Sequence, residues 1–151
     1  MARVDRFEDL VCWQKGRELA RQVYHVSNLG TLAKDSSLRD QMRRAAVSII
    51  SNIAEGFERG GDREFVHFLS LAKGSAAELR SQLLVAVDVR LLDSREADPL
   101  LALTIDISKT ISGLMSYLQR SRINGRKFKQ QARQVVTSDG VANSLTQDPR
   151  L

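Results

Sequence analysis

Glu64 and His67 stand three residues apart, the Glu-x-x-His spacing that places a carboxylate and an imidazole on one side of a helix. Two such pairs on facing helices, with further carboxylates, hold the di-iron centres of some four-helix bundles. The other histidine of the chain, His25, has Gln22 rather than a carboxylate three positions before it. One pair cannot build the centre. We therefore expect no metal and no other cofactor, and we interpret His67 as a solvated or interface histidine.

Other residues that could support catalysis lack the partners that catalysis requires. Gly56–Gly61 is rich in glycine, but it lacks the Lys-Ser/Thr pair of a phosphate-binding loop and follows a predicted helix instead of a strand. Glu55 and Glu78 could act as paired acids, yet no second type of catalytic residue stands beside them. The single cysteine, Cys12, has no histidine near it in sequence and is interpreted as a small buried residue. We expect a protein that is not an enzyme and has no small-molecule substrate.

A narrow polar stripe follows one side of the second predicted helix. At about 100° per residue, five side chains fall on this stripe. They are Gln41, Arg44, Ser48, Asn52 and Glu55. Ser48 and Asn52 would carry a desolvation cost if they were buried without partners. Two interpretations stay open: the stripe fixes the register between helices, as buried amides do in coiled coils, or it presents Arg44, Asn52 and Glu55 to a ligand such as a phosphate.

The net charge of +5 is unevenly distributed along the chain. Residues 1–119 hold 16 basic and 16 acidic residues, whereas residues 120–151 hold seven basic residues and two acidic ones. The basic stretch contains Arg120, Arg122, Arg126, Lys127, Phe128 and Lys129. Its cations could neutralise phosphates while its phenylalanine stacks on a base, or the stretch could be a solubilising helix end. Arg43 and Arg44 are further candidates for contacts with nucleic acid.

Apolar residues at helical spacing predict four helices, over about residues 7–28, 37–59, 62–92 and 95–121. Only two prolines and nine glycines interrupt the 151 residues, which favours long helices over a turn-rich β architecture. Short connections make consecutive helices neighbours, so the predicted fold is all-α, an antiparallel up-down-up-down four-helix bundle over residues 1–121. Residues 122–151 lose the apolar periodicity and are predicted to form a disordered tail, basic at first and then polar.

The predicted core leaves some apolar and small residues unused. The second helix is apolar over more than half of its circumference, and Leu71, Val85 and Val89 lie off the main stripe of the third. Gly74 and Ser75, in the middle of that helix, predict the close approach of a neighbouring helix. This excess of apolar surface predicts a homo-oligomer. No stretch approaches the ~18 apolar residues of a membrane span and no signal peptide is recognisable, so we expect a cytoplasmic protein without membrane contacts.

The junction between the second and third helices carries a family resemblance. Residues 48–56 read Ser-Ile-Ile-Ser-Asn-Ile-Ala-Glu-Gly, and Arg59, Phe65 and the segment Gly74-Ser75-x-x-Glu78 follow. Together with the opening stretch of residues 7–14, this pattern resembles the four helix bundle protein family, small proteins encoded within intervening sequences of bacterial 23S rRNA genes. The resemblance implies a ring-like homo-oligomer, with a pentamer as the expected assembly. A related branch, the accessory proteins of diversity-generating retroelements, binds nucleic acid and a reverse transcriptase.

Two functional hypotheses follow from the sequence. In the first, the chain is an oligomeric scaffold that associates with RNA or with an enzyme of nucleic acids through its basic stretch. In the second, it is an adaptor that binds another protein through its unused apolar residues and makes no contact with nucleic acid.

Overall fold

The computed structural model describes residues 3–142, with side chains as far as residue 121. The four helices are α1 (Val11–Ser27), α2 (Ser36–Glu58), α3 (Asp62–Asp88) and α4 (Ser94–Ala142). Two 3-10 turns, Phe7–Asp9 and Leu32–Lys34, precede α1 and α2. The described residues contain no strand, and the prediction of an all-α four-helix bundle is confirmed.

Helices that follow one another in the chain are neighbours in space. α2 packs between α1 and α3, and α4 closes the bundle by packing on both α3 and α1. Each helix therefore has two neighbours, the arrangement that short connections favour. The up-down-up-down order of helix directions stays a prediction.

α1 begins later than its apolar pattern predicts. Phe7–Asp9 forms a separate 3-10 turn, and Leu10 then takes an extended conformation before the α-helix starts at Val11. α2 begins at a capped end, because the side chain of Asp35 accepts a hydrogen bond from the Leu38 N–H at 3.0 Å. The start of α2 thus agrees with the prediction to within one residue.

α3 ends at Asp88, before the predicted end near residue 92. Arg90 takes the left-handed conformation, with a φ of 62°, and the N–H groups of Arg90 and Leu91 donate to the carbonyl oxygens of Val87 and Ala86 at 3.0 and 2.8 Å. This is the hydrogen-bond pattern of a Schellman motif, which usually has glycine at the left-handed position. Because an arginine occupies that position, the sequence carries no helix-stop residue there.

α4 starts with a capping box and continues beyond its predicted end. The Asp93 carboxylate accepts from the Arg95 N–H at 2.9 Å, and Glu96 accepts in return from the Asp93 N–H at 3.3 Å. The helix then extends to Ala142, whereas the apolar pattern predicted an end near residue 121 and a disordered tail from 122. Most of residues 126–134 are good helix formers (Lys, Arg, Gln and Ala), whereas residues 124–125 (Asn-Gly) and 135–140 (Val-Val-Thr-Ser-Asp-Gly) are poor ones, so helix propensity accounts for only part of the extension. The end of the predicted tail, residues 143–151, lies outside the described residues.

The core runs along the bundle axis and is almost entirely aliphatic. Its fully buried members include Leu19, Ile49, Ile53, Leu69, Leu79, Leu83, Ile107 and Ile111. The short turn between α1 and α2 contributes Leu32, which is also fully buried. These residues fall on the helical stripes that the sequence predicted, apart from Leu32, which lies in a connection. Among the described helices, none is both long and apolar enough to cross a membrane.

Candidate interaction surfaces

The polar stripe of α2 makes hydrogen bonds inside the subunit at its centre. The hydroxyl oxygens of Ser48 and Ser75 lie 2.9 Å apart and join α2 to α3. The Asn52 side-chain amide donates to the carbonyl oxygen of Ser48 at 2.9 Å and to its hydroxyl at 3.1 Å. All three residues are half-buried, so these partners offset the cost of taking their polar atoms out of water. The geometry supports the interpretation in which the stripe fixes the register of α2 against α3.

Gly56 lets α3 approach α2 closely one turn further along. A Cβ atom at this position would lie 2.5 Å from Cβ of Phe68 and 3.1 Å from Cδ2 of Phe65. The ring of Phe65 also meets Phe57 edge to face, with centroids 5.9 Å apart. The glycine of the Asn-Ile-Ala-Glu-Gly motif is therefore a packing residue, because any side chain there would push the helices apart.

The ends of the stripe lie at the surface. Glu55 pairs with Arg59 at 2.8 Å, and the guanidinium of Arg59 also lies over the ring of Phe68 at 5.2 Å. Both partners of the ion pair are 52% exposed, so it contributes little to stability. At the other end, exposed Gln41 makes a long contact of 3.5 Å with the Ser37 hydroxyl.

Arg43 and Arg44, both predicted to contact nucleic acid, differ in their surroundings. The Arg43 guanidinium donates to Ser27 Oγ at 2.8 Å and to Asn28 Oδ1 at 2.7 Å, and it lies 4.7 Å from the centroid of the Tyr24 ring. It thereby fastens the end of α1 to α2. Arg44 is exposed and lines a shallow hollow with Tyr24, Asp40, Val47 and Ser51. The pKa of Asp40 is lowered, chiefly by its hydrogen bond with Arg39 and further by the charges of Arg44 and Arg43.

Three exposed apolar residues lie off the core stripe of α3 or directly after its end. Leu71, Val85 and Val89 are 44%, 46% and 57% exposed. Gly74 is also exposed, and apart from its own helix no described atom lies within 4 Å of the place a Cβ would occupy, so the close approach predicted at Gly74 does not occur within the subunit. The close approach belongs instead to Gly56 and to Gly16, where a Cβ would lie 2.7 Å from Cγ2 of Ile50.

Glu78 and Gln82 also lie on α3. Glu78 accepts a hydrogen bond from the Gln82 side chain at 3.2 Å. Gln82 is only 8% exposed, and its Oε1 is buried without a hydrogen-bond partner among the described residues. A buried acceptor that lacks a partner carries a desolvation cost. The sequence pattern did not single out Gln82, because a glutamine between apolar positions is as compatible with solvent as with burial.

Sequence reasoning also missed a basic groove between α3 and α4. Lys73 and Arg80 of α3 and Lys109 of α4 line it, together with the hydroxyl groups of Ser108 and Ser112. The seven-residue spacing of Lys73 and Arg80 places them on one side of α3 and could have been noticed. Their proximity to Lys109 depends on how the two helices pack, which no local pattern reveals.

Most of the predicted basic stretch lies beyond the described side chains. Arg120 is exposed on α4. Arg122, Arg126, Lys127, Phe128 and Lys129 belong to the same helix, but their side chains lie outside the described residues. Their proposed contacts with nucleic acid stay a prediction.

The residues considered for catalysis and metal binding are not assembled into a site. Glu64 and His67 are exposed, and the imidazole packs edge to face on Phe68 with centroids 5.6 Å apart. Within the described part of the chain, no three residues of the metal-ligating types are grouped. Cys12 is buried as predicted, and this burial raises the pKa of its thiol to about 11, so the unreactive protonated form dominates at neutral pH.

Comparison with known proteins places this bundle in a family. No curated protein sequence matches the chain. Among solved structures, it is similar to a protein of unknown function from the S23 ribosomal protein family of Bacteroides thetaiotaomicron. The two share 22% sequence identity with a TM-score of 0.64 over 70% of this chain and 98% of the other, which shows a common fold. The sequence model of the 23S rRNA-intervening sequence proteins matches residues 8–113, and the chain therefore belongs to that family.

Proposed function

We propose that this protein is a non-enzymatic, cytoplasmic scaffold that assembles into a ring-like homo-oligomer and associates with RNA. The observation that supports the association with RNA is the position of the excess charge. Residues 120–151 carry all of the +5 net charge, and the first part of this segment continues α4 as far as Ala142. Phosphate backbones bind such clusters of cations with release of counterions. Several copies in one assembly would bind together, so weak individual contacts would add up to appreciable avidity.

The outer face of α3 supports assembly. Leu71, Val85 and Val89 are exposed along it, and Gly74 leaves its backbone open to a partner. Apolar residues exposed together mark interaction sites more often than apolar residues that are exposed singly. A pentamer is the proposed state, as the family resemblance implies.

The association with RNA is tested by fluorescence anisotropy with a labelled single-stranded RNA. We expect binding that weakens steeply as salt rises, because each neutralised phosphate contributes about −0.7 to the slope of log K against log salt. Deleting residues 120–151 should weaken the binding strongly. Affinity that is unchanged by salt contradicts the proposal, and a truncated chain that binds as before rules out the basic stretch as a contact.

Assembly is tested by light scattering on the full chain. The expected mass is five times 16.9 kDa, and the double variant Leu71→Glu, Val85→Glu should shift it toward 16.9 kDa because charges cannot be buried in an apolar contact. A matched control, Val11→Glu with Leu29→Glu, changes residues that are 55% and 49% exposed elsewhere on the bundle and should leave the mass unchanged. A monomeric wild type at micromolar concentration would contradict the proposed assembly. If the control variant also dissociated the oligomer, the subunit interface could not be assigned to the outer face of α3.

The second hypothesis, a protein-binding adaptor, draws on the same exposed residues of α3. It differs in its partner, which would be another protein instead of a second copy or RNA. Capture of one defined protein that survives nuclease treatment, and that the Leu71→Glu, Val85→Glu variant loses, would favour the adaptor.

A further inference from the structure

The groove between α3 and α4 is a concave, positively charged surface on a bundle that is neutral overall. It encloses about 340 Å³. Its lining includes buried Ala76 of α3 and buried Thr104 of α4.

The groove gathers three exposed cations on one concave surface, whereas other cations that form no ion pair with a described residue, such as Lys34 and Arg63, lie elsewhere on the bundle. No described acidic residue lines the groove, and Lys73, Arg80 and Lys109 form no ion pair with any described residue. By contrast, Lys15 pairs with Asp106 at 2.7 Å on the opposite side of α4. Charges of one sign in a concave site with low-dielectric walls concentrate the field and attract counter-charges. The groove is therefore an anion-attracting site.

The spacing of the charges suits an extended anion better than a compact one. Lys73 and Arg80 are seven residues apart on α3, which is about 10 Å of helix rise. A nucleic-acid strand carries one charge per ~3.4 Å of duplex axis, so this length spans about three phosphates. Ser108 and Ser112, on the α4 side of the groove, can donate hydrogen bonds to phosphate oxygens.

The row of cations continues along α4 beyond the groove. Arg120 lies eleven residues after Lys109, which is about three helical turns, and the two therefore occupy the same side of α4. Arg120 is exposed, and the basic stretch begins there. Lys109 of the groove and Arg120 thus lie on the same side of α4.

We propose that the groove between α3 and α4 binds the phosphodiester backbone of a nucleic-acid strand through Lys73, Arg80 and Lys109. This inference rests on the proposed association with RNA. It adds a contact with the nucleic-acid backbone on the folded bundle to the contacts proposed for the basic stretch. No described aromatic side chain lines the groove, so it reads the backbone without selecting bases. An acidic protein is the less favoured occupant. Ile105, 37% exposed, is the one large apolar residue lining the groove, and protein interfaces depend on buried aromatic or apolar anchors.

The test compares two charge-matched triple variants of the full chain. One carries Lys73→Gln, Arg80→Gln and Lys109→Gln; the other carries Lys34→Gln, Arg63→Gln and Arg95→Gln, which are exposed cations elsewhere. Binding to a labelled single-stranded RNA and to DNA of the same sequence is measured by anisotropy over about 50–200 mM salt. We expect the groove variant to lose at least about tenfold in affinity and about 2 in salt slope, with RNA and DNA affected alike. The control should stay within about threefold of wild type.

The outcomes separate this inference from the function on which it rests. If the wild type binds RNA and the groove variant binds equally well, the groove is not the site and the proposed function stands. If the wild type does not bind RNA even at low salt, both fail. If only RNA affinity falls, the groove selects the 2′-hydroxyl as well, and a backbone-only contact is wrong. If a poly-glutamate peptide of equal charge displaces the RNA as well as unlabelled RNA does, the groove takes an acidic protein and the inference is overturned.

Discussion

The α2–α3 contact and the α3–α4 groove use the polar residues of one bundle in opposite ways. At the α2–α3 contact, the Ser48 and Ser75 hydroxyls and the Asn52 amide make hydrogen bonds to one another across or along the helices. In the groove, Lys73, Arg80 and Lys109 form no ion pair with any described residue. Residues that satisfy each other stabilise a subunit, whereas residues left without partners are available to a ligand. The family motif thus belongs mainly to the architecture, and the cations outside the motif are the stronger candidates for binding.

The difference predicts which measurement each region controls. Substitutions at the α2–α3 contact should lower the free energy of unfolding and leave the affinity for RNA unchanged. Substitutions in the groove should do the reverse, because removing exposed cations changes stability by no more than about 0.5 kcal/mol.

The largest expected effect on stability is at Gly56. Gly56→Ala places a Cβ at 2.5 Å from Cβ of Phe68, an atom fixed to the α3 backbone, so the two helices must separate. We expect a loss of about 1–3 kcal/mol in the free energy of unfolding, measured by urea denaturation. Gly113→Ala is the matched control: it has open space around it in α4 and should gain up to about 1 kcal/mol from helix propensity. Equal effects of the two substitutions would mean that the close approach at Gly56 does not govern packing.

A smaller effect is expected at Asn52. Asn52→Ala removes the hydrogen bonds to Ser48 and should cost about 1–2 kcal/mol, with the affinity for RNA unchanged. Ser51→Ala changes an exposed neighbour on the same helix and should be close to neutral in both measurements. If Asn52→Ala kept its stability and lost affinity, the polar stripe would be a ligand site and the comparison between the two regions would fail.

Much of the fold was predictable because it depends on local patterns. Leucine, isoleucine and alanine at helical spacing determined four helices and most of the core stripe, since one face of each helix must leave water. The ends of the helices were less predictable. α3 ends where Arg90 takes a left-handed conformation that glycine usually occupies. α4 runs to Ala142 through a stretch that includes Asn124, Gly125 and Gly140, which do not favour helix.

The candidate sites were likewise predictable in part: the side of the helix that a residue occupies could be predicted, but not what that side contacts. The polar stripe of α2 was visible in the sequence, because five side chains at helical spacing share one side of a helix. Whether Asn52 and Ser48 faced a ligand or a neighbouring helix was not, since both outcomes place the same residues on the same side. The two glycines illustrate the limit: Gly56 is enclosed by α3 and Gly74 is open, although both lie inside helices.

The sequence by itself determined the helices, the apolar stripes, the family and the concentration of net charge after residue 119. Only the tertiary structure decided that the Ser48 hydroxyl meets Ser75 across α2 and α3 while the Asn52 amide bonds to Ser48 within α2, and that three cations from two helices line one groove. The physical reason is that helical periodicity fixes which side of a helix a residue occupies, whereas the packing of neighbouring helices fixes what that side meets.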